Sequence, residues 1–237
     1  MRILILGDSL PFPRPLRGQP IAATWPAILK ERLPHADIWL RANPRSCMLD
    51  VLRELDFFTD SLGAFDLIVV QAGIVDCAPR PYPRLLYKML EAAVGMPRLR
   101  RIERFAHRRL LWAYGRPWVG PRAFGEAVAR LADIAHRANP RSEVIFLSIA
   151  PPTRTIAADL RGIDRAAAAY NEVLRREVGR LRETRPCRFV DPFAETDPFR
   201  TTIEDGHHLS RLGHHLVADA IVSSIEAPVI GLQALAS

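Results

Sequence analysis

A chain of 237 residues with 49% hydrophobic and 25% charged side chains can bury one full core, and this balance excludes a disordered or fibrous protein. No Gly/Ser-rich tract or charge block divides it, so residues 1–237 are expected to form a single domain. The net charge of +7 is carried almost wholly by arginine, Lys30 and Lys88 being the only lysines, and overall charge by itself selects no class of partner.

Residues 3–6, an Ile-Leu-Ile-Leu run closed by Gly7, read as a buried strand that stops abruptly and leaves Ser9 on the loop at its C-terminal end. A helix is expected over 25–33, a strand over 36–41, a helix over 48–59 and a strand over 66–71. From 79 to 121 the rhythm breaks. This stretch is flanked by proline, holds two helix-like segments around 85–94 and 99–113, and has no strand, so it reads as an insertion between the third and fourth strands. A helix over 123–138, a strand over 143–149, a helix over 164–182 and a strand over 188–190 follow. The last helix spans 210–225, with Ser210 as N-cap and Leu212, Leu216, Val217, Ala220 and Ile221 as its apolar stripe. Such alternation predicts an α/β fold: one doubly wound parallel sheet, three layers deep and flavodoxin-like, with ligands bound at the carboxyl ends of the strands.

The first strand begins directly after Met1-Arg2, which leaves no room for a signal peptide, and no apolar run approaches the roughly 18 residues needed to cross a bilayer. A cytoplasmic location is expected. Cys47, Cys77 and Cys187 have no metal-like spacing and read as reduced, buried thiols.

Gly7-Asp8-Ser9-Leu10 near one end and Asp205-Gly206-His207-His208 near the other carry the chemistry. A serine hydroxyl is a poor nucleophile at neutral pH, and needs a base within hydrogen-bond reach and a third group to orient that base. Asp205 and His208, three residues apart on a turn that leads into a helix, can supply both. Asp8 reads most simply as a hydrogen-bond acceptor for the turn around Ser9. His207, His208, His214 and His215 lack a Cys or second acidic ligand at matching spacing, so no metal is expected, and no cofactor.

In these motifs the chain resembles the SGNH/GDSL hydrolases, whose first block is a GDS(L) strand end and whose last is D-x-x-H. The likeness extends through Val69-Val70-Gln71-Ala72-Gly73, the Tyr170-Asn171 helix and Asp205 to Ser210. It implies Ser9 as nucleophile, His208 rather than His207 as base, and Asp205 as the orienting acid. Two blocks depart from the family pattern. The third reads Gly73-Ile74-Val75-Asp76, so Val75 stands where the family has the oxyanion-hole Asn, and the second, Arg45-Ser46-Cys47, has no glycine. Losing one oxyanion donor costs roughly 2.7–4 kcal/mol of transition-state stabilisation. The amides of Ser9, Ser46 and Gly73 are the remaining candidates for the hole, with Asp8, Asn43, Gln71, Asp76 and Arg80 as candidate substrate contacts. Arg80 in particular would suit an anionic group.

Within the insertion Arg98, Arg100, Arg101, Arg104, Arg108, Arg109 and Arg116 stand against Glu103 alone, while Leu99, Ile102, Ala106, Leu110 and Ala113 recur at helical spacing. The stretch reads either as a lid or dimer element with a solvated basic face, or as a contact for an anionic substrate or membrane surface. No nucleic-acid reading motif is present. The expected activity is that of a serine esterase acting through an acyl-enzyme on a small O-acyl ester, such as an acetyl ester of a carbohydrate. One alternative is an O-acyltransferase modifying a surface polysaccharide or glycan precursor, with water kept out by the insertion. The other is a non-catalytic protein that binds a carbohydrate or lipid intermediate on the same scaffold.

Overall fold

The computed structural model describes residues 1–57 and 59–226. Strands β1 (Arg2–Gly7), β2 (Asp37–Ala42), β3 (Leu67–Gln71), β4 (Glu143–Leu147) and β5 (Cys187–Val190) form one sheet in the order β2-β1-β3-β4-β5, every neighbouring pair parallel. Parallel neighbours need long crossovers, and helices supply them. These are α1 (Trp25–Arg32), α2 (Met48–Phe57), α3 (Thr59–Leu62), α4 (Ile74–Cys77), α5 (Arg84–Tyr114), α6 (Pro121–Ala138), α7 (Arg154–Asp159), α8 (Ile163–Arg182), α9 (Pro198–Thr201) and α10 (Arg211–Glu226). The strand order is that of the flavodoxin-like doubly wound sheet.

Because successive strand residues point to opposite faces, the apolar runs supply two cores. Leu4, Leu6, Ile68, Val70, Val144 and Phe146 pack with α2, α6 and α8, while Ile3, Ile5, Leu67, Val69, Ile145 and Leu147 pack with α1 and α10. Both faces of the sheet are therefore dry, which is why its central strands are continuous apolar runs rather than alternating ones. Gly7 lies level with Ala42 and Gln71, so the loops leaving β1, β2 and β3 meet on one rim.

Where the expected elements shift, the reasons are local. The fourth strand ends at Leu147, since Ile149 is clasped by the Asn171 side chain, which accepts from Ile149 N at 2.7 Å and donates to Ile149 O at 3.0 Å. The last helix begins where Ser210 Oγ accepts from Gly213 N at 3.1 Å, as an N-cap should. Its buried face, however, is Gly213, His214, Val217, Ala218 and Ile221, and Leu212 is 39% exposed. The insertion is a helical run broken at Gly95 (φ 72°, ψ 160°), and its ends meet where Arg80 N donates to Arg116 O at 3.0 Å. Of its basic stripe, the side chains of Arg100, Arg101, Arg104, Arg108 and Arg109 lie outside the described residues, as do those of Ala106, Leu110 and Ala113. No helix among the described residues is long and apolar enough to cross a membrane.

Candidate active site

Ser9 stands two residues past the end of β1, at the rim where the strand ends are level. Asp205 and His208 reach it from the segment between β5 and α10. That segment is closed by Ile203 N donating to His208 O at 2.8 Å and by an antiparallel bridge between Thr202 and Leu209. Gly206 turns it through φ 78° while its carbonyl accepts from Thr153 N at 2.9 Å, which ties the turn to the loop after β4.

Ser9 Oγ lies 2.9 Å from His208 Nε2, and His208 Nδ1 lies 2.8 Å from Asp205 Oδ2. The other oxygen of Asp205 accepts from the amides of His208 at 3.0 Å and His207 at 3.2 Å. Burial works against the Asp205 charge, but the hydrogen bonds from the His208 side chain and amide outweigh it and hold the carboxyl well below the usual carboxylate range. An ionised Asp205 can only accept at Nδ1 of His208, which leaves Nε2 facing the Ser9 hydroxyl. The His207 ring lies against that of His208, centroids 4.0 Å apart, and burial, then the neighbouring His208, push it down to about 4. Asp205, His207 and His208 bring ligand-type atoms within 4.8 Å of one another. Within that cluster Asp205 Oδ2 and His208 Nδ1 are each other's hydrogen-bond partners.

The remaining candidates fall into two groups. Asp8, Gln71 and Asp76 are buried polar groups beneath the rim, 0%, 1% and 0% exposed, not the substrate contacts expected of them. Asp8 Oδ1 accepts from Leu10 N at 2.9 Å and shapes the Ser9 turn. Gln71 Oε1 accepts from the Trp25 indole at 2.7 Å. Asp76 receives Met48 N at the start of α2, at 2.9 and 3.1 Å to its two oxygens. Burial pushes the carboxyls of Asp8 and Asp76 up to about 7 against the backbone amides they accept from. The Ser46 amide, expected in the oxyanion hole, donates instead to Asn43 O at 3.1 Å, because residues 43–46 form a tight turn with Arg45 at φ 67°. Val75 is buried in the larger core and its side chain supplies no donor.

On the rim itself, Asn43 is exposed and donates to Glu54 at 3.0 Å, and Gly73 adopts φ 132°, with Ile149 in the space a Cβ would need. Arg80 is half-buried, its guanidinium 4.5 Å above the Trp118 ring. A cleft of about 730 Å³ is lined by Leu16, Arg17, Thr153, Phe199, Ile203 and Glu204, and by none of Ser9, Asp205 and His208. Another, of about 340 Å³, lies between the β2 loop and the insertion, lined by Ser46, Arg84, Tyr87 and Trp118 among others. No motif marks Arg14, yet its charge acts on Asp205, Asp8 and His207. The one signal in the sequence is its position, between Pro13 and Pro15 on the loop that follows Ser9.

Residues 5–216 match the GDSL-like Lipase/Acylhydrolase family. Among solved structures, a carbohydrate acetylesterase family member from Sinorhizobium meliloti is similar at TM-score 0.63 and 17% identity, with 95% of this chain and 98% of that chain covered. A lipase/acylhydrolase from Enterococcus faecalis is similar at 0.62 and 14%, covering 95% and 96%. An acetyl xylan esterase is similar at 0.61 and 14%, covering 95% and 100%. At these identities the likeness is one of fold. No curated protein sequence matches this one.

Proposed function

The chain belongs to the GDSL-like lipase/acylhydrolase family, and from that premise we propose that it is a serine esterase in which Ser9 forms an acyl-enzyme with a small O-acyl ester. The observation that carries this reading is the continuous relay from Ser9 Oγ to His208 Nε2 at 2.9 Å and from His208 Nδ1 to Asp205 at 2.8 Å. In the proposed cycle His208 takes the Ser9 proton as Oγ attacks the ester carbonyl, and Asp205 stabilises the imidazolium that results. His208 then returns the proton to the departing alcohol. Water, deprotonated by His208, attacks the acyl-enzyme, which releases the acid and restores the Ser9 hydroxyl.

The amides of Ser9 and Gly73 are the proposed oxyanion donors, since the Val75 side chain offers none and the Ser46 amide is engaged in its own turn. With one donor fewer, a slower acylation step than a three-donor site would give is the physical consequence. Acetyl on a carbohydrate is the proposed ester, in keeping with the names of two of the fold neighbours.

Labelling with a fluorophosphonate tests the reading directly, because the reagent reports an activated serine without requiring the natural substrate. The intact protein is expected to be labelled at Ser9, and Ser9→Ala to give background signal only. Equal labelling of the two would remove Ser9 as nucleophile.

A further inference from the structure

The loop after Ser9 is fixed to the segment that carries the base at three points. Ser9 Oγ meets His208 Nε2 at 2.9 Å, Arg17 Nη1 meets Glu204 Oε2 at 2.6 Å, and the buried Gln19 side chain donates to Leu209 O at 2.8 Å. Between these ties, Arg14 and Gln19 form an antiparallel bridge with both backbone hydrogen bonds in place, 2.8 Å from Arg14 N to Gln19 O and 3.0 Å from Gln19 N to Arg14 O. Pro13 and Pro15 restrict the backbone on either side of Arg14. The main chain of Arg14 is therefore held by its bridge to Gln19, which is itself tied to the segment that carries Asp205 and His208.

Its side chain is not used in that mounting. Arg14 is half-buried, yet its guanidinium makes no hydrogen bond or ion pair with any described residue. The other arginines of this rim have their partners: Arg17 holds Glu204, Arg45 holds Tyr87 and Glu91, Arg84 holds Asp50, and Arg80 lies on Trp118. Asp205 and Asp8 attract Arg14 through space only, and the oxygens of Asp205 already serve His208 and His207. A half-buried guanidinium that bonds to no described side chain presents a planar fork of the kind that receives a carboxylate or phosphate through two parallel hydrogen bonds.

We propose that Arg14 is a specificity-determining residue that binds a carboxylate or phosphate carried by the ester substrate, close to the carbonyl that Ser9 attacks. The identity of the ligand as an ester rests on the function proposed above, whereas the binding of its anionic group does not depend on turnover. The substrate class thereby narrows to anionic O-acyl esters.

Two probes separate the sides of the ester on which the charge can lie. Mono-4-nitrophenyl succinate carries a carboxylate on the acyl side, and 4-acetoxyphenyl phosphate carries its anion on the alcohol side. Each is compared with a neutral counterpart, methyl 4-nitrophenyl succinate or phenyl acetate, by kcat/KM in the intact protein and by calorimetric binding to Ser9→Ala. One charged probe is expected to be favoured over its neutral counterpart about tenfold or more in both measurements, the usual scale of a charge-assisted bidentate contact. Adding Arg14→Gln should bring that ratio to near one. Arg14→Lys, which keeps the charge without the fork, should retain part of it, whereas a loop merely deformed by substitution would lose it in both variants.

An unchanged ratio in Arg14→Gln, or no preference for either charged probe in binding to Ser9→Ala, overturns the proposal. Charge preference in binding without turnover or Ser9 labelling would instead overturn the esterase reading and leave the role of Arg14 standing.

Discussion

Arg45 shows how a residue that departs from the family pattern is accommodated. Its backbone lies at φ 67°, in the left-handed region where a Cβ is penalised and glycine is not. The conformation is held because the side chain reaches the insertion, donating to Tyr87 Oη at 2.6 Å and Glu91 Oε1 at 2.9 Å. A glycine would relax the turn but release the insertion. The two effects separate when Arg45→Gly is compared with Arg45→Ala, since both lose the side-chain contacts and only alanine keeps the strain. Arg45→Gly is expected to be more stable than Arg45→Ala by about 1 kcal/mol in urea unfolding, the reverse of the order at an ordinary position. An alanine variant equal to or more stable than glycine would mean that the turn is not strained. The family resemblance raised the question of the missing glycine, and only the folded turn showed that Arg45 takes a conformation that favours one.

At the level of the element, α10 is where apolar periodicity misjudged the buried face. Leu212 was expected inside and is 39% exposed, while Gly213 and His214 are buried. Periodicity counts apolar side chains, so it is blind to two contacts that orient this helix. His214 Nδ1 accepts from Trp25 N at 3.2 Å, at the start of α1, and a Cβ on Gly213 would come within 2.2 Å of Thr201 O. The backbone of α10 therefore touches the α9 segment directly. Gly213→Ala is expected to destabilise the protein by about 1–3 kcal/mol, as overpacking against backbone does. A drop in the urea midpoint without a change of slope would measure it, and an unchanged midpoint would show that α10 can move away freely.

At the scale of the whole molecule, burial has displaced the titration of two histidines and two carboxyls in opposing directions. His207 and His214 are lowered from 6.5 to about 4, whereas Asp8 and Asp76 are raised from 3.8 to about 7. The histidines bind fewer protons folded than unfolded, so the stability they permit is complete above about 6.5 and is lost as pH falls towards 4. The two carboxyls bind more protons folded, so their contribution is complete below about 3.8 and is lost as pH rises towards 7. These windows overlap, and the slopes largely cancel between about pH 4 and 6.5. Asp205, held below the usual range, adds stability that is present above 3.8 and lost in stronger acid. Urea midpoints measured across this interval should be nearly flat in the native protein. They should rise with pH in Asp76→Asn and fall with pH in His214→Gln; slopes of the same sign in the two variants would refute the assignment. His207, its side chain 29% exposed, weighs less than His214, which makes His214 the better site for the test.

The sequence by itself determined the doubly wound sheet and the pairing of Ser9 with the Asp205–His208 segment. Long apolar runs, helical periodicity and short ordered motifs are local properties, and they survive being read in one dimension. Tertiary structure alone decided which polar residues near the motifs are accessible. Gln71, at the end of β3, and Asp76, in α4, lie next to the rim but are held in the interior by the Trp25 indole and the Met48 amide, partners 46 and 28 residues away in the chain. The amide of Ser46 is taken by its own turn, and the loop that carries Arg14 is tied to the His208 segment by a hydrogen bond from Gln19 to Leu209, 190 residues away in the chain. Whether a polar group meets substrate or protein depends on which partner reaches it first in space, and linear spacing carries no record of that.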